Sequence, residues 1–292
     1  MNGFLNILKP PGMSSGGVVT KFKYLTGERT GHAGTLDPEA AGVLPVMIGR
    51  ATRLLDYLPD DRKTYVCEIA FSGATDTQDA QGRLIEEGRG VPKEEELLAV
   101  LPEFTGKVFQ TPPMYSALKR DGVALYKLAR RGGEVELEQR EVLIRSVELL
   151  GKGEEDSYRM RVCCGRGTYI RTLCHDIGQR LGRPAHMRFL LRTASAGLDI
   201  RDSCLLEEFN TPADAERRLL PLDAMLGHIP LFVIDPVHRL HAANGKAVPC
   251  EERITGPVRM YLDGVLIGIA EQREDDGALH FKVICADYHD FR

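Results

Sequence analysis

The sequence predicts an α+β protein: a large mixed or antiparallel sheet with inserted helices, followed by a small C-terminal β-barrel. Strand-length apolar or alternating runs outnumber runs of helical spacing, and the helices fall between them without regular alternation. Around residues 223–230 the chain also changes character, passing through Asp223-Ala224-Met225-Leu226-Gly227-His228-Ile229-Pro230 into short apolar runs and turns. These observations divide it into a main domain, 1–228, and a tail, 229–292. No internal repeat is present.

Phe4 to Leu8 reads as a short apolar strand, Val18 to Leu25 as a helix started by Ser14-Ser15, and Val43 to Ile48 as a buried strand. Thr52 to Leu58 reads as a short helix. A strand then runs from Thr64 to Phe71, with Tyr65, Cys67 and Ile69 on one face. Glu94 to Leu101 has helical spacing, and the two prolines keep Gln110 to Pro113 extended. Ala124 to Arg131 reads as a helix. Arg140 to Leu150 and Ser157 to Cys164 read as strands joined by the charged turn Gly151 to Asp156. In the next helix Ile170, Leu173, Cys174, Ile177 and Leu181 form one apolar stripe with Arg171 beside it. In the tail, Arg259 to Ala270 places two strands around Asp263-Gly264, a hairpin signal.

The 43% hydrophobic content of the 292-residue chain suffices for a core. No apolar run approaches the ~20 residues that span a bilayer, and the N-terminus lacks the basic and apolar regions of a signal peptide, so the expected location is the cytoplasm. Seven cysteines, an odd and scattered set with no C-x-x-C pair, read as reduced core residues; no zinc site is expected. The net charge of -4 conceals two basic stretches. Arg161 to Arg192 carries seven arginines against Asp176, and Lys119 to Arg131 carries five basic residues against Asp121. Such stretches suit phosphate binding on one face, although a solvated helix face would look the same.

The segment with most chemical content is Gly31 to Leu44, G-H-A-G-T-L-D-P-E-A-A-G-V-L. Gly31, Gly34 and Gly42 permit close approach of a substrate to the backbone, and Pro38 biases Asp37 away from helical geometry. An Asp-Pro pair is also a common helix start. The company of His32, Thr35 and three glycines favours a reactive carboxylate.

The whole segment resembles the catalytic motif of the bacterial tRNA pseudouridine synthase B family. Lys9 to Ser15 (KPPGMSS), Lys63-Thr64-Tyr65, Pro112 to Ala117 (PPMYSA) and Gly167 to Arg171 (GTYIR) resemble that family's other motifs in the same order. The resemblance covers residues 3–200. It implies a pseudouridine-synthase-like catalytic domain whose cleft crosses the central sheet, with a tail similar to the PUA domain of RNA-modifying enzymes. It implies isomerisation of uridine 55 in the tRNA T loop, with base flipping and Asp37 as nucleophile at C1' of the sugar or C6 of the base. No metal or cofactor is needed. The expected partner is tRNA, through its T-stem loop and, by way of the tail, its acceptor end; the protein is expected to be a monomer with no membrane contact.

The resemblance also implies roles for other residues. Arg171 pairs with Asp37, Tyr65 stacks on the base and is a candidate to take the C5 proton, and Lys63 supports that site. Tyr169 belongs to the substrate-binding set, Leu190 lines the uracil pocket, and His32 fills the space left by the flipped base. Lys9 and Gly12 are structural. Each has a plainer counterpart: Tyr65 as a half-buried strand residue, Leu190 as core, Arg171 as a surface cation. Two other functions stay open. A non-catalytic RNA-binding or tRNA-folding protein on the same fold would not need Asp37, Tyr65 and Arg171 together, and an unrelated Asp-nucleophile hydrolase lacks a second positioned carboxylate.

Overall fold

The computed structural model describes residues 1–59, 62–113, 119–120, 123–124, 137–154 and 156–286. In chain order the first elements are β1 (Gly3–Lys9), α1 (Ser15–Thr26), β2 (Thr30–His32), β3 (Ala41–Ile48), a 3-10 helix at Gly49–Tyr57, and β4 (Lys63–Ala70). β5 (Gly73–Thr75) and β6 (Leu84–Glu87) pair with each other, followed by α2 (Glu94–Val100) and β7 (Gly106–Gln110). A two-residue pair, β8 (Lys119–Arg120) and β9 (Val123–Ala124), precedes β10 (Arg140–Lys152) and β11 (Ser157–Cys164). Then come α3 (Ile170–Arg180), β12 (His186–Ser195), β13 (Leu198–Asp199), β14 (Cys204–Leu205) and α4 (Pro212–Arg218). Of the expected helix over Ala124 to Arg131, Ala124 lies in β9 and residues 125–131 lie outside the described residues, as do Met114 to Ala117 of the PPMYSA motif.

A sheet in the order β14-β1-β3-β12-β4-β11-β10-β7, with β2 against β3 and β13 against β12, forms the body. It is mixed: β1–β14 and β3–β12 are parallel and the other pairs antiparallel. Runs such as β1 (GFLNILK) and β3 (AGVLPVMI) are buried almost throughout, as strands covered on both faces must be. Tyr65, Cys67 and Ile69 share one face and pack with the Ile170–Ile177 stripe of α3 and with Leu97 and Leu101 beneath the sheet. On the other side Phe22 of α1 meets Phe209 edge-on at 5.0 Å. α1 starts where Ser14 accepts from the Gly17 N–H and stops at Gly27, whose φ of +70° suits glycine.

One irregularity places the site. β3 pairs with β1 along its length, but its other edge is shared: Val46–Ile48 meet β2, and Ala41–Gly42 meet β12. Residues 43–45 of that edge are left without a strand partner between the two contacts, which is where Pro45 sits and where its missing N–H breaks no ladder. The loop 33–40 emerges at this gap.

The tail contains β15 (Leu231–Val233), α5 (Arg239–Ala243), β16 (Pro257–Leu262), β17 (Val265–Gln272) and β18 (Leu279–Ile284). The Asp263-Gly264 hairpin joins β16 to β17. Among the described residues the strands form an open sheet in the order β15-β16-β17-β18, not a closed barrel. Closure would pair β18 with β15, but the outer edge of β18 makes an isolated bridge from Leu279 to Val248, and β15 is only three residues long.

Candidate active site

Asp37 is not a helix cap. Its carbonyl accepts from the Ala40 N–H at 3.1 Å, closing a turn with Pro38 at the second position, and its carboxylate is left to point elsewhere. The turn is anchored from beneath. Ser15 Oγ donates to Leu36 O and accepts from Leu36 N at 3.0 and 2.9 Å. The fully buried Lys9 ammonium donates to Pro10 O, Met13 O and Pro38 O at 2.8, 2.5 and 2.9 Å. Lys9 is therefore a strut of the loop, and burial brings its pKa down to about 8 against the pull of Glu39 and Asp37.

The carboxylate meets Arg171 at two points: Nη2 donates to Oδ1 at 3.2 Å, and Nε forms an ion-pair contact with Oδ2 at 3.0 Å. This is the planar fork that a guanidinium offers a carboxylate. The first turn of α3 directs Arg171 inward, where it is 4% exposed and held by Thr77 O at 3.2 Å and Asp79 Oδ2 at 3.5 Å. Burial pushes the Asp37 carboxyl above its ordinary 3.8; Arg171 and Lys9 draw it down, and Asp79 adds to the rise. The start of α3 is itself fixed: Gln110 donates to Tyr169 O and accepts from Tyr169 N at 3.2 and 3.0 Å.

Asp37, Lys63, Tyr65, Tyr169, Arg171 and Leu190 line one cavity of about 300 Å³, together with Leu36, Ile170, Arg192 and the backbone around Gly165–Thr168. Two of these residues carry both of their sequence readings at once. Leu190, opposite Cys67 in the β4–β12 ladder, is a core residue that also faces the cavity, and Tyr65 is 7% exposed with its ring at the wall. Burial pushes the Tyr65 phenol above its ordinary 10, opposed by the positive charge of Arg192. His32 is not part of the lining. It lies on β2 opposite Val46, its Nδ1 buried with no hydrogen-bond partner among the described residues, and burial followed by the charge of Arg192 lowers its pKa.

The glycines serve the loop more than a substrate. Gly42 has φ +117°, and a β-carbon there would lie 2.2 Å from Arg192 O, so Gly42 allows β3 and β12 to meet. Gly34, at φ +92°, faces the cationic ends of Arg192 and Lys63. Two polar participants escaped the sequence reading, Asp79 behind Arg171 and Arg192 on β12. Arg192 shares the cavity face of β12 with Leu190 two residues earlier, a relation that depends on the strand being known.

Residues 22–170 match a family model described as the TruB family pseudouridylate synthase N-terminal domain, and residues 171–227 match the tRNA pseudouridylate synthase B C-terminal domain. The chain is 41% identical to a tRNA pseudouridine synthase B from Pelotomaculum thermopropionicum, over 98% of this chain and 96% of the relative. It is 39% identical to one from Alkaliphilus oremlandii, over 94% and 95%. Among solved structures, a Cbf5-Nop10-Gar1 complex superposes with a TM-score of 0.73 at 25% identity, covering 99% of this chain and 86% of that one. Full-length identity near 40%, matches across both family segments and a shared fold agree: the chain belongs to the TruB family of pseudouridylate synthases.

Proposed function

We propose that this protein isomerises uridine 55 in the T loop of tRNA to pseudouridine, with Asp37 as the nucleophile. The observation that carries the reading is the two-pronged Asp37–Arg171 pair at the wall of a cavity that also presents Tyr65 and Leu190. The C1'–N1 bond must break, the uracil must turn while held, and C5 must join C1'. Arg171 keeps the carboxylate ionised and aimed despite its burial. Leu190 and the Tyr65 ring give the detached base apolar surface to turn against, and Lys63 adds positive charge at the rim. Tyr169 belongs to the same wall. Because a uridine in a structured loop must first be extruded, at about a few kcal/mol, His32 is assigned to the space it leaves.

The tail, residues 229–292, is read as a PUA-like RNA-binding unit toward the tRNA acceptor end, and residues 1–228 as the catalytic domain. The hairpin at Asp263-Gly264 and the likeness to Cbf5 over 99% of the chain support this. The working form is proposed as a cytoplasmic monomer; no helix among the described residues is long and apolar enough to cross a membrane.

The test is release of tritium from tRNA carrying C5-tritiated uridine. Wild type should release it and Asp37→Asn should not. Equal release by both would remove Asp37 from the role. Binding without release by either would favour a tRNA-binding protein on the same fold.

A further inference from the structure

Arg192 is 0% exposed, the bulkiest side chain buried so completely, and no carboxylate among the described residues pairs with it. Its guanidinium donates instead to backbone carbonyls: Val43 at 2.7 Å from Nε, Gly34 at 3.0 Å from Nη2 and Thr35 at 3.5 Å from Nη1. Val43 lies in the unpaired gap of β3, and Gly34 and Thr35 lead directly into Asp37. The same group stands opposite Tyr65 in the β4–β12 ladder, and the two side chains line the cavity together. One side chain therefore ties the nucleophile's loop to the gap in the sheet and stands beside the base-facing tyrosine.

Its charge has a second consequence. A buried cation without a counter-ion is costly, and carbonyl dipoles compensate it only in part. Four charged side chains line the cavity: Asp37, Arg171, Lys63 and Arg192. Asp37 and Arg171 neutralise each other. The positive charge of Arg192 is left facing the space in which the base must react, and Lys9, His32 and Tyr65 all register it. Either route of attack puts negative charge on the uracil. Attack at C1' forms the Asp37–C1' bond and sends the C1'–N1 electron pair onto N1, O2 and O4. Attack at C6 forms the Asp37–C6 bond and sends the C5–C6 pair onto C5 and O4.

We propose that Arg192 is a positioning residue of this reaction: it braces the Asp37 loop against β3 and β12 and sets a permanent positive charge beside the uracil ring where negative charge develops. The proposal rests on the pseudouridine synthase reading. A preorganised charge of this kind acts on the transition state more than on binding.

The test compares Arg192→Lys and Arg192→Gln in single-turnover pseudouridine formation at saturating enzyme, with tRNA affinity and thermal unfolding measured alongside. A brace alone predicts equal loss, because neither residue can span three carbonyls. Brace plus charge predicts a loss of more than about tenfold for Arg192→Lys and at least about another tenfold for Arg192→Gln, with tRNA affinity unchanged within about threefold. Equal rates for the two variants would overturn the electrostatic role. A rate for Arg192→Lys within about tenfold of wild type would overturn the brace. If Arg192→Gln does not unfold cooperatively, Arg192→Lys decides by that same threshold: greater loss with unchanged affinity supports the proposal. Failure of the wild type itself to form pseudouridine on this tRNA would instead sink the functional reading.

Discussion

At the scale of single residues, the site depends on how one buried guanidinium is shared. Arg171 meets both oxygens of Asp37, also donates to Thr77 O and pairs with Asp79. Arg171→Lys keeps the charge but offers one point where the fork had two. The expected outcome is a fall in the single-turnover rate of at least about 10²-fold, with tRNA affinity little changed, because what is lost is alignment of the proposed nucleophile. The pH profile should move as well. Burial already holds the Asp37 carboxyl above 3.8, and Arg171 is the strongest influence drawing it down. Activity needs the ionised form, so it is lost as pH falls through the folded-state pKa; with a weaker partner that pKa rises, and the acid limb shifts to higher pH. An acid limb unmoved in Arg171→Lys would show that the pair does not tune the nucleophile. Asp37 and Arg171 were legible because both stand in long motifs of small and turn-forming residues. Arg192 was not, because it appears in sequence as one of seven arginines, and only the register of β12 against β4 shows that it points inward.

At the scale of elements, the decisive contact is the short parallel meeting of β3 and β12, only Leu191 with Ala41 and Arg192 with Gly42. Gly42 makes it possible. An alanine there would need φ +117° and would drive its β-carbon to 2.2 Å from Arg192 O, into backbone that cannot swing aside. Gly42→Ala should destabilise the protein by about 3 kcal/mol or more, from left-handed strain and overpacking together. Denaturant midpoints measure this, and the folded fraction should also lose activity, since Arg192 and the Asp37 loop shift with the strand. A variant of wild-type stability would mean that the two strands can part without cost. This contact also marks the limit of sequence reading. The longer runs β1, β3, β4, β10, β11, β16 and β17 and the helices α1, α2 and α3 were visible in sequence, β4 and α3 most clearly, because periodicity is local; β12, which carries Leu190 and Arg192, and the two- to four-residue strands were not. The neighbours of each strand were not, because pairing between residues 41 and 191 leaves no local trace. Likewise the β16–β17 hairpin announced itself through Asp263-Gly264, while the open edge depends on Val248 meeting Leu279.

At the scale of the whole molecule, tail and body share a core despite the change of character near residue 228. Leu266, Ile269 and Cys285 of the tail pack in one apolar cluster with Phe4, Met47 and Leu54 of the body, and Met225, Leu226 and Ile229 complete it. Arg50 and Arg53 reach across to Cys285 O and Ile284 O at 3.1 and 3.0 Å. A joint of this kind should make the two parts unfold as one. Ile269 is the residue to test, being fully buried within that cluster, and Met260, equally buried within the tail's own core, is the control. Ile269→Ala and Met260→Ala should each cost about 2–5 kcal/mol by cavity formation. If the parts are coupled, amide exchange should show the slowest protons of β1 and β4 losing protection together with those of β16 and β17 in both variants, since each then exchanges only through a common global opening. If they are independent, Met260→Ala should lower protection in the tail alone, and β1 and β4 should keep theirs. The coupled outcome would mean that the tail contributes to the stability of the Asp37 site: Met47 belongs to the same β3 whose gap admits the Asp37 loop.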